Sequence, residues 1–413
     1  MTYSVTHYIN EIAHETPFEL IFVFGFIIIC SLITRRLKQP AVMGCFLGGF
    51  LIHSITYFTG LDFTAKLSLG PHVIMLLISL LIFNEGMHVD LEYLLKNIEE
   101  ILCLSLLGTI IACAVCGFLL HQILGFGWAV AIITGAMLIP TDAGAVLAVL
   151  NDLGVSQRWK SLIGGESIFN DPFGLIIFGL ALGVISGKAI SWGVTIALIL
   201  IGSPLLGIAL GYLFYLLYKQ LNDPVSELML SGMLFLAAHF GAEFLHMSEF
   251  LTVALASIFV GNKKHLCMDE ETRETLNRVW EALAIGIEGF LFLIIGKEIP
   301  LEHLFYYLPL GLLAITIVMA ARSIAVHSLL WILDRLFKQD VPFKWRVIVD
   351  LSGLHVGVTM AIMLTLPKTL PQIQNIKVMG YYVITWSVLA MPLFMKFALR
   401  KMRLVKSLSS PYV

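Results

Sequence analysis

The sequence predicts an all-α, polytopic membrane protein of about thirteen transmembrane helices, and three observations predict it. Of 413 residues, 58% are hydrophobic and only 13% are charged, against about 25% charged in a soluble domain. Apolar windows close to the roughly 20 residues that span a bilayer recur along the whole chain. The basic residues are distributed unevenly between alternate polar breaks, as a membrane topology requires.

In chain order the windows are 18–34, 41–58, 71–88, 98–121, 126–150, 160–185, 191–219, 225–244, 249–262, 279–297, 304–333, 345–366 and 378–400. The first and the ninth are short. An odd number of spans puts the termini on opposite sides. With the C-terminal Arg400, Lys401, Arg403 and Lys406 in the cytoplasm, the outer loops hold only Lys66, Lys188, Lys297, Lys368 and Lys377. The other loop cations, among them Arg35, Arg36, Lys38, Lys263, Lys264, Arg335 and Lys338, then lie inside. The N-terminus is therefore expected outside. Met1–Phe18 is polar, without the basic and apolar regions of a signal peptide. Asn262–Arg278 reads as an amphipathic cytoplasmic connector. No soluble domain is expected after the last span, and the short tail suggests a prokaryotic inner membrane.

A net charge of −2 points away from a nucleic-acid partner. Cys113 and Cys116 have C-x-x-C spacing, but they lie in an apolar helix without histidine or charge nearby and read as small packing residues. There is no H-E-x-x-H and no tight His/Cys cluster, so a metal enzyme is unsupported and no cofactor is implied.

Two spans are interrupted. The fifth carries Pro140-Thr141-Asp142-Ala143-Gly144 and the twelfth Ser352-Gly353-Leu354-His355-Val356-Gly357. The places correspond if spans 1–6 and 8–13 are inverted repeats joined by the seventh. Paired interruptions predict two discontinuous helices crossing at a transport site. Unwound backbone is tolerated at that depth only where it is buried in protein or lines a cavity.

Charge is concentrated at the same depth. Glu166, Ser167, Asn170 and Asp171 lie within the sixth span, where each acid costs roughly 2.5–3.5 kcal/mol on insertion scales. In a helix Glu166 and Asn170 share one face, and Ser167 and Asp171 the adjacent one. Pro172 cannot donate a backbone hydrogen bond and leaves the Ile168 carbonyl partly free. Asp171, Ser167, Asp142 and the Thr141 carbonyl offer the oxygen ligands that a hard monovalent cation requires. The same carboxylate can take a proton instead, and that competition with a conformational switch suffices for exchange. Arg322, mid-span, needs an anion, and Glu166 is the expected partner.

The remaining intramembrane groups carry weaker signals. Glu85 and Glu288 are candidates for the ion pathway or for modulation. Glu243 and Glu249 flank an outer turn and are expected in solvent, and Asp350 is expected to face cytoplasmic water. His239 and His327 read as packing residues. His355 occupies the expected crossing and is a candidate pH-sensing residue.

These residues carry a resemblance. Thr141 to Leu150, followed by Gly165-Glu166-Ser167-Ile168-Phe169-Asn170-Asp171, resembles the signature spans of NhaP-type sodium/proton antiporters, the electroneutral branch of the cation–proton antiporter superfamily. Leu81-Ile82-Phe83 to Asp90, Gly261-Asn262, Trp280-Glu281 to Gly296 and Ala321-Arg322 extend the likeness over nearly the whole chain. The resemblance implies a homodimer with elevator-type alternating access. It implies core helices at approximately 98–185 and 304–400, and dimerisation helices at approximately 18–88 and 191–297. It implies that Asp171 carries sodium (or lithium) or a proton, that Ser167 and Thr141 are sodium ligands, that Asp142 stands beside them, and that Glu166 pairs with Arg322. Asn170 in place of a second acid goes with one-for-one exchange. An electroneutral cycle escapes the membrane potential, about 2.3 kcal/mol per charge per 100 mV.

The sequence departs from the family pattern at four positions. Ala143 stands where a proline is usual, Pro172 where a small residue is usual, and His355 where the usual Gly-Leu-Arg-Gly has arginine. Glu288 stands where asparagine is frequent. A change of ion preference or pH response is the expected consequence of the last two. Potassium/proton exchange is the runner-up within the class. A channel would show repeated pore loops, and an intramembrane aspartyl protease a second acid in a Gly-x-Gly-Asp context; neither is present. A non-transporting sensor would need an output domain.

Overall fold

The computed structural model describes residues 16–36, 41–60, 70–185, 187, 192–221, 223–299, 306–337, 341–367, 369–402 and 404. Of the topology-setting cations, Lys38, Lys66, Lys188, Lys338, Lys368, Arg403, Lys406 and the side chain of Arg35 lie outside these residues, as does the N-terminal segment before Thr16.

Every predicted window coincides with a helix or a helix pair. In order these are α1 (Thr16–Arg36), α2 (Ala41–Thr59), α3 (Pro71–His88), the short α4 (Leu91–Lys96) and α5 (Ile98–Leu124). Next come the pair α6 (Trp128–Leu138) and α7 (Gly144–Asp152), then α8 (Gln157–Ile185) and α9 (Gly193–Tyr218). They are followed by α10 (Pro224–Phe244), α11 (Glu249–Lys263), α12 (Glu270–Lys297) and α13 (Leu308–Phe337). The pairs α14 (Phe343–Leu351) with α15 (Gly357–Thr365), and α16 (Ile373–Leu389) with α17 (Met391–Lys401), complete the chain. Among the described residues, 7 helices are long and apolar enough to cross a bilayer alone. The last window is not one straight span: α16 and α17 meet at 42°. The signal was Pro392, which α17 accepts in its first turn but which could not continue α16.

Local chemistry sets several ends. Asp223, Ser248 and Asp269 cap α10, α11 and α12 by accepting from the backbone N–H of Ser226, Leu251 and Thr272. Gly125, at φ 66°, closes α5 in the left-handed conformation that other residues resist. Gly261 and Asn262 tie α11 to the turn after α3. Gly261 packs on the Met87 backbone, while the Asn262 amide donates to the Val89 carbonyl and its oxygen accepts from Leu91 N–H.

The helices pack as two groups. In one, α2 lies against α1 and α12, and α11 against α3, α9 and α10. In the other, α6 packs on α5 and α8, and α13 on α5 and α16. Contacts between the groups run through α3 with α8 and α15, α8 with α11, and α2 with α16. At one end of the second group the Trp159 and Trp345 rings stack at 4.2 Å, joining α8 to α14. Cys113 and Cys116 are free and buried against Gly135, the packing role their setting predicted.

The two interruptions meet. Asp142 N–H donates to the Leu354 carbonyl at 2.6 Å, forming an isolated antiparallel bridge. This bond gives two helix-free backbones a partner where water and lipid cannot.

Candidate functional site

The crossing puts four helix ends side by side. Asp142 stands at two N-termini: its Oδ1 accepts from Gly144 N–H at 2.8 Å at the start of α7. Its Oδ2 lies 3.8 Å from where a side chain on Gly357, at the start of α15, would begin. A carboxylate there offsets the partial positive charge of both ends. The C-terminal ends receive donors. Arg322 Nε donates to the Asp350 carbonyl and its Nη2 to that of Val349, both at 3.0 Å, at the end of α14. His355 Nδ1 donates to the Pro140 carbonyl at 3.1 Å, just past α6.

From α8, Ser167 and Asn170 brace the first break. The Ser167 hydroxyl donates to the Thr141 carbonyl at 2.6 Å and accepts from Ala143 N–H at 3.0 Å. The Asn170 amide donates to the Thr141 hydroxyl (2.9 Å) and to Glu166 (3.2 Å), and its oxygen accepts from Thr109 at 2.6 Å. Pro140 packs flat on α8 at Gly174, where any side chain would collide with its ring. The predicted Glu166–Arg322 pair forms: Nη1 and Nη2 reach the two carboxylate oxygens at 3.2 and 3.1 Å, with the residues 3% and 5% exposed.

Asp171 differs from its neighbours. No other described residue hydrogen-bonds its carboxylate, and it lines a cavity of about 850 Å³ between the helix groups. Ser167, Asp142, Glu85 and Glu288 share that lining, together with Ser31, Glu281 and Lys396. Gly144 lies among the acids: a Cβ there would sit 3.2 Å from Asp142 Oδ1 and 3.8 Å from an oxygen of both Glu85 and Glu288. A second cavity, about 990 Å³, also borders α8. Pro172, His72, His239, Glu243 and Glu249 line it.

This is a bare carboxylate beside oxygen donors at crossed, broken helices. The sodium/hydrogen exchanger, transmembrane family matches residues 24–401. The chain belongs to the sodium/hydrogen exchanger family. Within it, the sequence is 30% identical over 328 residues to the Na(+)/H(+) antiporter NhaP of Pseudomonas aeruginosa, covering 75% of this chain and 76% of that one. It is 27% identical over 403 residues to the Na(+)/H(+) antiporter NhaS2 of Synechocystis, covering 96% and 73%. The fold matches that of the sodium proton antiporter MjNhaP1 from Methanocaldococcus jannaschii, with a TM-score of 0.72 at 17% identity over 95% of this chain and 100% of that one.

Some family-matched residues have structural tasks. Trp280 donates to Ser231 at 2.9 Å and packs against Phe83 and Phe235. His239 bonds Ser79 at 2.9 Å as a packing residue. Two expectations are corrected. Asp350 does not face water: it is 7% exposed and accepts from the Ser323 hydroxyl at 2.6 Å, because Arg322 draws the end of α14 inward. Glu249 is half-buried at the start of α11 and only Glu243 is exposed. The sequence reading missed Thr109 and Ser387, whose hydroxyls bond Asn170 and the His355 N–H. A lone hydroxyl in an apolar helix carries no signal, since its own preceding turn can satisfy it.

Proposed function

We propose that this protein exchanges sodium for protons across the membrane, with Asp171 as the group that carries either one. The carrying observation is that Asp171, one turn along α8 from Ser167 and the broken backbone at Thr141, has a carboxylate free of hydrogen bonds from the described residues and lines the cavity beside the crossing. Glu166 is neutralised by Arg322, and Asp142 by two helix ends. Ser167, the Thr141 carbonyl and Asp142 supply further oxygens for a dehydrated monovalent cation. When the cation leaves, a proton takes its place on the carboxylate. Asn170 is engaged on both sides of its amide, so its task is to hold Thr141 and not to carry charge. With one carrying acid, exchange is one for one, and the membrane potential does no work on the cycle.

The packing into two groups supports a division of labour. Helices α5 to α8 and α13 to α17 form the moving core, and α1 to α3 with α9 to α12 the frame through which two copies pair. The likeness to NhaP-type antiporters supports both assignments. The distribution of cations supports a cytoplasmic C-terminus in a plasma membrane, and Glu281 and Lys396, which that topology puts toward the cytoplasmic ends of their spans and which line the Asp171 cavity, support an inward opening.

The test is proton flux in sealed proteoliposomes with an internal pH dye, adding sodium, lithium and potassium in turn with the potential clamped and unclamped. Sodium should evoke a pH change that is insensitive to potential and absent in Asp171→Asn. A response to potassium alone would reassign the ion. No cation-dependent flux in folded protein would refute the reading.

A further inference from the structure

We propose that His355 is a positioning residue: its imidazole, acting as a neutral donor, clasps the Pro140 carbonyl and fixes the Thr141–Asp142 segment on which cation binding depends. The proposal rests on the exchange reading above. Pro140 lies past the last turn of α6, where a carbonyl has no helical donor. His355 Nδ1–H supplies one at 3.1 Å, from a residue 2% exposed. The histidine is itself anchored, because its backbone N–H donates to Ser387 on α16 at 3.1 Å. The next two residues are held from both sides. Thr141 is bonded through its carbonyl and hydroxyl to Ser167 and Asn170, and Asp142 N–H is bonded to Leu354, the neighbour of His355. Each residue from Pro140 to Asp142 is therefore anchored, and His355 provides the anchor at Pro140. Without it the Pro140–Thr141 peptide is free to rotate and to turn the Thr141 carbonyl and the Asp142 carboxylate away from the cavity.

The charge state follows from the surroundings. His355 Nε2 is buried without a hydrogen-bond partner among the described residues. An imidazolium there would bury an N–H without a protein acceptor, a larger penalty than a bare lone pair. The Arg322 guanidinium lies against Gly353, two residues away on the same segment, and its fixed charge opposes a second one. The histidine thus contributes a hydrogen bond where the family's usual arginine would add a charge.

Three variants test this. His355→Asn keeps an amide N–H the same number of bonds from Cα as Nδ1, His355→Leu removes the donor, and His355→Arg restores a charge. Two readouts apply: sodium-evoked proton flux against sodium concentration and pH, and amide hydrogen exchange of peptides covering residues 139–144. In His355→Leu the half-saturating sodium concentration should rise about tenfold, the equivalent of one hydrogen bond of about 1.4 kcal/mol. Its maximal rate should fall less, and exchange at 139–144 should quicken about tenfold. His355→Asn should restore both and leave the pH profile in place, whereas His355→Arg should displace that profile. A displaced profile in His355→Asn with unchanged exchange would make His355 a titrating sensor. Wild-type behaviour in His355→Leu would reduce it to packing. If His355→Leu does not fold, failure of His355→Asn to keep sodium affinity overturns the proposal. Absence of flux in the unaltered protein would sink the exchange reading alone, since hydrogen exchange still tests the clasp.

Discussion

Replacing Arg322 by methionine should destabilise the protein through the charge it leaves behind. Arg322 makes four hydrogen bonds, two to Glu166 and two to the carbonyls of Val349 and Asp350. The carbonyls lose about 1 kcal/mol each. Glu166 loses its counter-charge in a site 3% exposed, and an uncompensated buried charge costs about 3–5 kcal/mol. With the two carbonyls the total is about 5–7 kcal/mol, comparable with the whole stability of many domains. Glu166→Gln added to Arg322→Met removes the charge while Asn170 keeps a neutral partner, so the double variant should recover about 3–4 kcal/mol. Thermal unfolding of both variants in detergent measures the effect. If the single variant were no less stable than the double, Glu166 would not be a stranded buried charge and the reasoning would fail.

Other expected outcomes follow from single contacts. Thr109→Val keeps the shape but leaves the Asn170 oxygen without its 2.6 Å donor, so unfolding should be easier by about 1–3 kcal/mol, with Thr109→Ser near the parent. Gly144→Ala places a methyl 3.2 Å from Asp142 Oδ1 and 3.8 Å from Glu85 and Glu288. The half-saturating sodium concentration should rise about three- to tenfold in a folded protein, an overpacking effect of about 1 kcal/mol, and an unchanged value would place the cation elsewhere. The Thr272 hydroxyl and backbone N–H, which bond the Asp269 carboxyl at the start of α12, hold it below the usual carboxylate range. Its stabilisation is therefore present above the unfolded value of about 3.9 and lost as pH falls through the lower folded value. Asp269→Ala should flatten that acid limb of the melting curve, and a limb of unchanged size would assign it to other groups.

The parts of the site legible in the sequence are those that violate the membrane's chemistry. Pro140-Thr141-Asp142 is conspicuous because Asp142 is the only charged residue in its window, and Arg322 demands an anion wherever it lies. The Glu166–Arg322 pair and the meeting of the two breaks could therefore be anticipated. What escaped are residues whose role depends on a partner far along the chain. Thr109 bonds its own preceding turn at Ser105 as any helical threonine does, and only the fold brings Asn170 to it. Asp350 sits a few residues into its span, where depth is ambiguous, and its burial is set by Arg322 and Ser323 from another helix. The bend before α17 had a proline as warning, but the same residue type lies inside α8 at Pro172 without ending that helix. A proline marks a possible break, and packing decides whether it happens.

Adjacent positions on α8 line different cavities: Asp171 the one shared with Glu85 and Glu288, Pro172 the one lined by His72 and Glu249. Successive Cα atoms are about 3.8 Å apart, whereas the hydrocarbon core is about 30 Å thick. The two recesses therefore adjoin on α8. On the exchange reading proposed above, a solute held at Asp171 would need only to have the seal re-formed on its other flank, and a modest displacement of one helix group against the other would stand in for the journey that lipid would otherwise impose.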